Sequence, residues 1–266
     1  MSKRLIVTGG DGFIGRHVCR IAVAQGHQVV SIARAGRGDV QGEWANSVEW
    51  VAANVLQPET WRDQLAGADA VIHCVGIMLE HRRTGQTYER INDDSTEIVA
   101  WEAEHAGVPR FVFLSADTPK QLVPDRFIEA KRRAEQSLRR SQLRESVLRP
   151  AFVYGEERPA SMVGARLLQA ADHVPGLHEI IHPNRPLRVE QVALAAVRAA
   201  TDDGYEGVIS IDNIEYLAGD DWKGYAHERT NGHTGPLRPR NLVLGGVLAG
   251  TIAGIAWQVF RRQSGR

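Results

Sequence analysis

The chain has 266 residues, 43% hydrophobic and 24% charged, which is typical of a soluble globular protein with one large domain. Lysine plus arginine and aspartate plus glutamate number 32 each, so a net charge of zero gives no support for a nucleic-acid partner. Two cysteines, Cys19 and Cys74, are too few for a disulfide framework or a zinc site. The ten histidines lack a familiar HExxH or CxxC context, so no metal site is predicted.

Apolar runs alternate with helical patterns along the first 150 residues. The predicted strands cover residues 5–8, 28–33, 48–52, 70–75, 110–115 and 145–149. The predicted helices cover residues 13–25, 58–66, 86–106 and 126–141. Repeated strand–helix units predict an α/β fold with a doubly wound, Rossmann-like parallel sheet. The strand segments RLIVTG and DAVIHCVG are apolar on both faces, as a buried parallel sheet requires.

The pattern becomes less regular after Pro150, where we predict a small substrate-region appendage that completes a domain of residues 1–218. Its predicted elements are a helix over 161–172, a strand near 180–182, a helix entered through Val189 and a strand over 207–211. Residues 219–241 are rich in Gly, Asp, His, Arg and Pro and are predicted to be a linker.

A glycine motif, VTGGDGFIG, joins the first predicted strand to the first predicted helix. Gly9 permits a tight turn, Gly12 lets backbone N–H groups approach a pyrophosphate, and Gly15 lets the helix pack close to the sheet. The helix N-terminus, which opens with Phe13 and Ile14, favours the negative charge of the phosphates. The motif therefore predicts a dinucleotide cofactor.

The end of the second predicted strand favours NADP(H) over NAD(H). An NAD site usually places an acidic residue against the ribose hydroxyls at this point, but here Ala33 stands there and Arg34 follows, with Arg37 nearby. A guanidinium can meet a 2′-phosphate with charge-assisted hydrogen bonds. The alternative is that Arg34 is a solvated loop residue and that either cofactor binds.

Several further segments resemble the short-chain dehydrogenase/reductase superfamily in its extended or atypical branch. They are TGGDGFIG, NVLQPETW, VIHCVG, FVFLSA, LRPAFVYG and PLRVEQVALA. The resemblance implies that Asn92 supports the site, that Ser115 positions a substrate carbonyl, and that Asn54 replaces the usual aspartate. It also implies cofactor contacts from Asn54, Val55, Cys74, Val75, Gly76, Pro150, Ala151 and Val153.

One motif departs from the family pattern. Members of this superfamily use a Tyr-x-x-x-Lys pair, in which the lysine lowers the tyrosine pKa and holds the nicotinamide ribose while the tyrosine transfers a proton. Here the spacing is kept, but it reads Phe127 to Lys131. Loss of the hydroxyl should cost about 10²–10⁴ in rate. Lys131 would still hold the ribose, and the alternative proton donors are Tyr88, Tyr154, Glu129 or a histidine.

The segment of residues 242–260, LVLGGVLAGTIAGIAWQVF, contains no charge and is flanked by arginines. As a helix it would measure about 28 Å, close to the hydrocarbon thickness of a bilayer. Gly246, Gly250 and Gly254 form a GxxxGxxxG pattern that lets membrane helices pair closely. We predict a C-terminal transmembrane helix with the folded domain on the cytosolic or matrix-like side. The alternative is an apolar helix docked in a groove of its own domain or of a partner.

With Phe127 in place of the tyrosine and a predicted membrane anchor, the chain resembles a narrower, atypical group of this superfamily. That group includes the NAD(P)H-binding accessory subunit of respiratory complex I and a coenzyme Q assembly-associated protein. The resemblance implies a non-catalytic or weakly catalytic NADP(H)-binding factor at a quinone or respiratory complex. The alternative is an active NAD(P)-dependent reductase, epimerase or dehydratase on a lipid-like or isoprenoid substrate. The first needs no proton donor near the nicotinamide, and the second does.

Overall fold

The computed structural model of the protein describes residues 1–118, 123–174 and 177–226. Within them, the main sheet has seven strands, all parallel, in the order β3-β2-β1-β4-β5-β6-β9. These strands are β1 Arg4–Thr8, β2 Gln28–Ala33, β3 Val48–Ala52, β4 Ala70–His73, β5 Arg110–Leu114, β6 Arg144–Leu148 and β9 Gly207–Ile209. A short second sheet pairs β7 Val153–Tyr154 with β8 Leu187–Arg188. The predicted Rossmann-like parallel sheet is confirmed.

Helices cover both faces of the main sheet. They are α1 Phe13–Ala24, α2 Ser95–His105, α3 Asp125–Arg139, α4 Pro159–Asp172, α5 His178–Ile181, α6 Val189–Thr201, α7 Ile211–Ala218 and α8 Trp222–Ala226. One apolar core joins alternate residues of β1, such as Leu5 and Val7, to α1 and α6. The other core joins the intervening residue Ile6 to α2 and α3. The sheet is therefore apolar on both sides, which is why its strands read as continuous hydrophobic runs.

Two predicted helices differ from the observed elements. The segment 58–66 forms two short 3₁₀ turns, Pro58–Thr60 and Arg62–Leu65, that seat Trp61 and Leu65 in the core. The long helix predicted from residue 86 begins instead as a π-helical turn, Glu89–Asp94, and continues as α2. The wider turn lies beside the candidate site, where π-bulges are frequent.

The region after Pro150 departs most from the prediction. The strand predicted near 180–182 is wrong, because α5 and the 3₁₀ turn His182–Asn184 occupy this segment. The strand predicted over 207–211 ends at Ile209, and α7 follows it. The Ser210 side chain caps α7 by accepting a hydrogen bond from the Asn213 N–H, and the apolar face of α7 then packs in the core.

The segment predicted as a linker contains helix α8, and Trp222 of this helix packs against the core. Residues 227–241, the apolar segment 242–260 and its three spaced glycines lie outside the described residues. Among the described residues, none of the helices has both the length and the apolar character needed to cross a bilayer.

Candidate functional site

The site predicted from the sequence forms along one edge of the main sheet. Every strand is parallel, so the carboxyl ends of β1 to β6 meet there, and the chain order reverses on either side of β1, between β2 and β4. Ligands of open α/β sheets bind outside such a switch point. The predicted residues follow these strand ends as Gly9, Arg34, Asn54, Cys74, Ser115 and Pro150. The fold thus brings residues far apart in sequence to one edge.

The glycine loop between β1 and α1 is tightly packed. Gly9 has a φ of 77°, and a Cβ atom there would lie 3.2 Å from the backbone nitrogen of Val75. A Cβ on Gly15 would lie 2.1 Å from the Gly9 carbonyl oxygen, so only glycine fits where α1 crosses the loop. Gly12 is the N-cap residue of α1 and has no side chain with which to cap the first turn, which contains Phe13 and Ile14. The N-cap residue therefore leaves the first N–H groups of α1 to other partners, as a phosphate site requires.

The side chains after β2 define the end of the site where an adenosine ribose would lie. Arg34 is exposed and, within the described part of the chain, makes no hydrogen bond or ion pair. Arg37, by contrast, is held in its own loop by the Val40 carbonyl at 3.0 Å and the Asn46 side chain at 2.9 Å. Of the two arginines noted in the sequence, Arg34 is the one whose guanidinium is free to meet a ligand.

Negative charge also lies near this end of the site. Burial raises the pKa of the half-buried Asp11 carboxyl, an effect that the charges of Arg16 and Arg34 oppose.

The two residues assigned to the adenine follow β3. Asn54 turns the chain there, since its Oδ1 accepts a hydrogen bond from the Leu56 N–H at 3.2 Å. Val55, the other residue assigned to the adenine, is buried in the core on the α2 and α3 side.

Residues 74–76, after β4, lead from the switch point towards α3. The half-buried Cys74 and Val75 flank the glycine loop, and burial raises the pKa of the Cys74 thiol to about 12, so it is a neutral thiol. A Cβ on Gly76 would lie 3.3 Å from both Asn92 Oδ1 and Lys131 Nζ. Gly76 therefore lies directly over Asn92 and Lys131.

Asn92 lies in the π-helical turn and supports the loop after β4. Its Oδ1 accepts a hydrogen bond from the Ile77 N–H at 2.7 Å, and its Nδ2 donates to the Ile77 carbonyl at 3.0 Å. The fully buried amide thus holds the backbone of Ile77 from both sides.

Lys131 is a buried cation on α3. Its Nζ donates a hydrogen bond to the Leu114 carbonyl at the end of β5 at 2.8 Å and lies 4.6 Å from the centre of the Phe113 ring. Burial lowers the pKa of Lys131 to about 8, although the charge of the nearby Glu135 carboxylate opposes this shift. Buried ionisable groups with shifted pKa values are characteristic of functional sites.

Phe127 is four residues before Lys131 and belongs to an apolar cluster beside it. The cluster contains the buried residues Tyr88, Ala116, Val123, Phe127 and Ala130. The Phe127 ring meets the Tyr88 ring edge-on, with centroids 5.6 Å apart. The Tyr88 hydroxyl donates to the Met78 carbonyl at 2.9 Å, and burial raises the Tyr88 pKa. Tyr88 is therefore poorly suited to replace the missing acid. Tyr154, the other alternative, has its hydroxyl 3.4 Å from Gln169 Nε2.

The Ser115 hydroxyl is engaged with a group that the sequence did not single out. It donates a hydrogen bond of 2.5 Å to Glu135 Oε1, and Glu135 is 1% exposed. Burial alone would raise the pKa of Glu135, but hydrogen bonds from Arg149 and Ser115 and the charge of Arg132 hold it below its usual value. The ionised Glu135 carboxylate on α3 therefore accepts the hydrogen bond of Ser115, the hydroxyl that the resemblance assigned to a substrate carbonyl.

His73 at the end of β4 was also missed by sequence reasoning. It is fully buried, with Nδ1 2.7 Å from the Thr8 hydroxyl of β1 and Nε2 3.4 Å from the Ser95 hydroxyl of α2. Burial, together with the charge of Lys131, lowers the pKa of His73 to about 3, so the imidazole is neutral. His73 therefore connects the ends of β1 and β4, the strands at the switch point, with α2.

The segment after β6 closes the other side of the site. The carbonyl of Pro150 accepts a hydrogen bond from the Asp117 N–H at 3.0 Å, and the carbonyl of Ala151 accepts one from the Thr118 hydroxyl at 3.2 Å. Val153 pairs with Leu187 in the short second sheet. The strand ends after β5 and β6 are thereby joined to each other.

Comparison with known families identifies the class of fold and ligand. Residues 9–203 match the model of a family described as NAD(P)H-binding. Solved structures add the fold: MoeE5 in complex with UDP-glucuronic acid and NAD has a TM-score of 0.59 at 20% identity, covering 83% of this chain and 82% of that one. The UDP-glucuronic acid 4-epimerase of Bacillus cereus, in complex with NAD, has a TM-score of 0.58 at 16% identity, covering 78% and 76%.

Curated relatives span most of the chain. An uncharacterized chloroplastic protein of Arabidopsis thaliana is 30% identical over 82% of this chain and 78% of its own length. MIOREX complex component 2 of Saccharomyces cerevisiae is 27% identical over 80% of this chain and 99% of its own length.

Two further relatives match shorter segments. A ceramide reductase of Caulobacter vibrioides is 27% identical over 72% of this chain and 59% of its own length. The photosystem II assembly factor Ycf39 of Synechocystis is 31% identical over 44% of this chain and 36% of its own length. With the glycine loop, the buried lysine and the parallel sheet in place, the match over residues 9–203 shows that the chain belongs to the NAD(P)H-binding family.

Proposed function

We propose that the protein is an NADP(H)-binding accessory factor with little or no carbonyl-reducing activity, anchored to a membrane and serving a quinone or respiratory-chain assembly. The observation that carries the proposal is the pair Phe127 and Lys131. The lysine that would hold the nicotinamide ribose lies buried under Gly76, whereas the residue four positions earlier has no transferable proton.

The neighbouring hydroxyls strengthen this argument. Ser115 donates to the Glu135 carboxylate, and Tyr88 donates to a backbone carbonyl. To assist a reaction, either hydroxyl would have to leave a hydrogen bond that it already makes. The site is thus organised to hold a cofactor more than to deliver a proton to a substrate.

Arg34 supports the preference for NADP(H). Its guanidinium follows β2 without a hydrogen bond or an ion pair in the described chain, at the position where a 2′-phosphate would lie. Ala33 supplies no acid there, and the charge of Arg34 acts on the nearby Asp11 carboxyl. Losing a charge-assisted contact costs about 1.5–3 kcal/mol, which corresponds to about 10–100-fold in affinity.

A titration by nicotinamide fluorescence tests the preference. Arg34→Glu should weaken NADPH binding at least about tenfold and leave NADH binding nearly unchanged. Arg62→Glu is the control, since it makes the same charge change on the exposed 3₁₀ turn whose Gln64 carbonyl contacts Arg4 at the amino end of β1. An unchanged NADPH-to-NADH ratio in Arg34→Glu would contradict the assignment.

Hydride transfer from bound NADPH to ketones and quinones tests the missing chemistry. Enzymes commonly turn over at about 1–10³ per second, and we expect the wild type to be slower by about 10²–10⁴. Phe127→Tyr is the informative variant because it restores a hydroxyl four residues before Lys131 and leaves the lysine unsubstituted. Turnover by the wild type at ordinary enzyme rates would refute the non-catalytic assignment.

The accessory role is supported by relatives named for assemblies, MIOREX complex component 2 and the photosystem II assembly factor Ycf39. The membrane anchor rests on the uncharged segment 242–260, with Gly246, Gly250 and Gly254 available to pair with a helix of the assembly. In this arrangement the nucleotide-binding domain lies on the cytosolic or matrix-like side. Purification of the complex from detergent-solubilised membranes would identify the partners.

Membrane fractionation of the full chain tests the anchor. Leu248→Arg places a charge in the middle of segment 242–260, at a cost of about 2.5–3.5 kcal/mol in a bilayer, and should release the protein. Leu248→Ala is the size control and should stay in the membrane fraction. A wild type found only in the soluble fraction would remove the anchor from the proposal.

A second candidate function is an active reductase for a lipid-like or isoprenoid substrate. It is favoured by the apolar cluster around Phe127, which would contact the hydrocarbon part of such a substrate, and by the relative named ceramide reductase. The turnover assay decides between the two candidates when long-chain ketones are included among the substrates.

A further inference from the structure

Three metal-binding side chains meet where α4 approaches α5, in the appendage. Asp172 is the last residue of α4, His178 is the first residue of α5, and His182 directly follows α5. His178 Nδ1 lies 3.2 Å from Asp172 Oδ1, and His182 Nδ1 lies 3.3 Å from Asp172 Oδ2. The three ligand atoms all lie within 4.8 Å of one another.

The spacing of the two histidines suits a shared ligand. Residues four apart on a helix lie on the same face, and the imidazole rings of His178 and His182 stack with centroids 4.7 Å apart and an interplanar angle of 28°. Tetrahedral zinc with bonds of about 2.0–2.2 Å separates its ligand atoms by about 3.3–3.5 Å. Each imidazole nitrogen already lies close to this separation from one oxygen of Asp172, His178 from Oδ1 and His182 from Oδ2.

One carboxylate oxygen of Asp172 lacks a hydrogen-bond donor within the described residues. Its Oδ1 is shielded from solvent and makes no hydrogen bond within the described residues, although His178 Nδ1 lies nearby. That nitrogen is directed instead at the Asp172 backbone carbonyl, 3.1 Å away. A shielded carboxylate oxygen without a donor is unfavourable, and a cation between the oxygen and the imidazole would satisfy it.

We propose that Asp172, His178 and His182 bind a divalent transition-metal ion, with zinc as the best-suited ion. Two imidazole nitrogens and a carboxylate group match the preferences of zinc and its neighbours, whereas calcium and magnesium select oxygen ligands. Binding replaces the hydrogen bond from His178 to the Asp172 carbonyl with coordination by a deprotonated Nδ1. The fourth position is left to water or to an external ligand, and the ion joins the end of α4 to α5.

The competing explanation is a pair of ordinary ion contacts. Protonated His178 and His182 would each attract the Asp172 carboxylate at the same distances, with no metal involved. The two explanations differ in what happens when metal is added to neutral imidazoles, so a direct binding measurement separates them.

The experiment is equilibrium dialysis of the full-length, tag-free protein against Zn²⁺ after chelator treatment, with Co²⁺ absorption spectra as a second readout. We expect one saturable equivalent, weakened at least about tenfold in His182→Ala and in Asp172→Asn, since even outer partners of metal ligands are worth about 10–100-fold. Excess Ca²⁺ or Mg²⁺ should not compete. Ligand-field bands of bound Co²⁺ should disappear in the same variants.

His173→Ala is the matched control, because this exposed histidine also lies at the end of α4 but its Nδ1 lies 2.8 Å from the Gln169 carbonyl, outside the cluster. It should bind Zn²⁺ like the wild type. Unaltered circular dichroism of His182→Ala excludes a folding defect. The proposal is overturned if the wild type binds no zinc saturably, or if His182→Ala and His173→Ala bind it equally well.

Discussion

Replacing Lys131 by methionine should change how the stability of the nucleotide-free protein depends on alkaline pH. Burial lowers the pKa of Lys131 from 10.5 to about 8 in the folded chain, whereas the unfolded chain hydrates the ammonium. Between these two values the unfolded state binds more protons, so the free energy of unfolding rises with pH. At 1.36 kcal/mol per pKa unit, the charged lysine costs the folded state about 3 kcal/mol below pH 8 and nothing above pH 10.5.

Urea unfolding of the wild type and of Lys131→Met at a series of pH values measures this cost. The wild type should gain about 3 kcal/mol relative to the variant as the pH rises from about 7.5 to about 10.5. Loss of the hydrogen bond to the Leu114 carbonyl shifts the variant by a constant amount and leaves the difference in slope intact. Lys223→Met serves as the control, because Lys223 is exposed and pairs with Asp220 at the surface.

Stability curves that stay parallel for the wild type and Lys131→Met would refute the reasoning, since Lys131 would then titrate alike in both states. A difference of the expected sign would mean that the fold tolerates a costly buried cation. Such a cost is understandable when the ammonium holds a ligand. Lys131→Met should accordingly weaken NADPH binding in the same preparations.

Two other perturbations follow from the same edge of the sheet. Gly15→Ala should destabilise the protein by about 1–3 kcal/mol or more and impair NADPH binding, because its Cβ would lie 2.1 Å from the Gly9 carbonyl oxygen; Gly224→Ala, with no atom within 4 Å, is the control for thermal unfolding. The wild type should lose about 2 kcal/mol between pH 7.5 and 5, because burial lowers the His73 pKa from 6.5 to about 3 and the unfolded chain takes up the proton first. His73→Asn should lack this loss in urea titrations, and an equal loss in both proteins would contradict it.

The first half of the fold was predictable because its signals are local. The glycine loop, the apolar strands and their alternation with helices are each encoded in short segments, and a parallel sheet follows from them. The segment 178–184 was harder, since a short apolar run cannot be assigned to a strand or a helix by periodicity alone. Helix α7 did carry a signal, because Ile211, Ile214 and Leu217 recur on one face after the capping Ser210.

The candidate site was predictable where a motif fixes the backbone and not where a tertiary partner decides. The positions of Gly9, Gly15 and Lys131 follow from spacing. The engagement of Ser115 does not, because its partner Glu135 lies twenty residues later and is recognisable only once β5 and α3 are packed together. From the sequence alone, Glu135 on the basic helix α3 would be taken for an exposed surface charge, whereas the structure buries it.

Helix α6 sets a limit on how this protein can be divided. Ten of its thirteen residues are buried, because it packs between α1, the strands β4 to β6 and the helices α7 and α8. The part of the chain after residue 150 is therefore no detachable module: a fragment ending there would expose to water the surfaces of α1 and of β4 to β6 that α6 covers. Any shortened version intended for crystals or labelling has to retain α7, and so has to extend at least to Ala218.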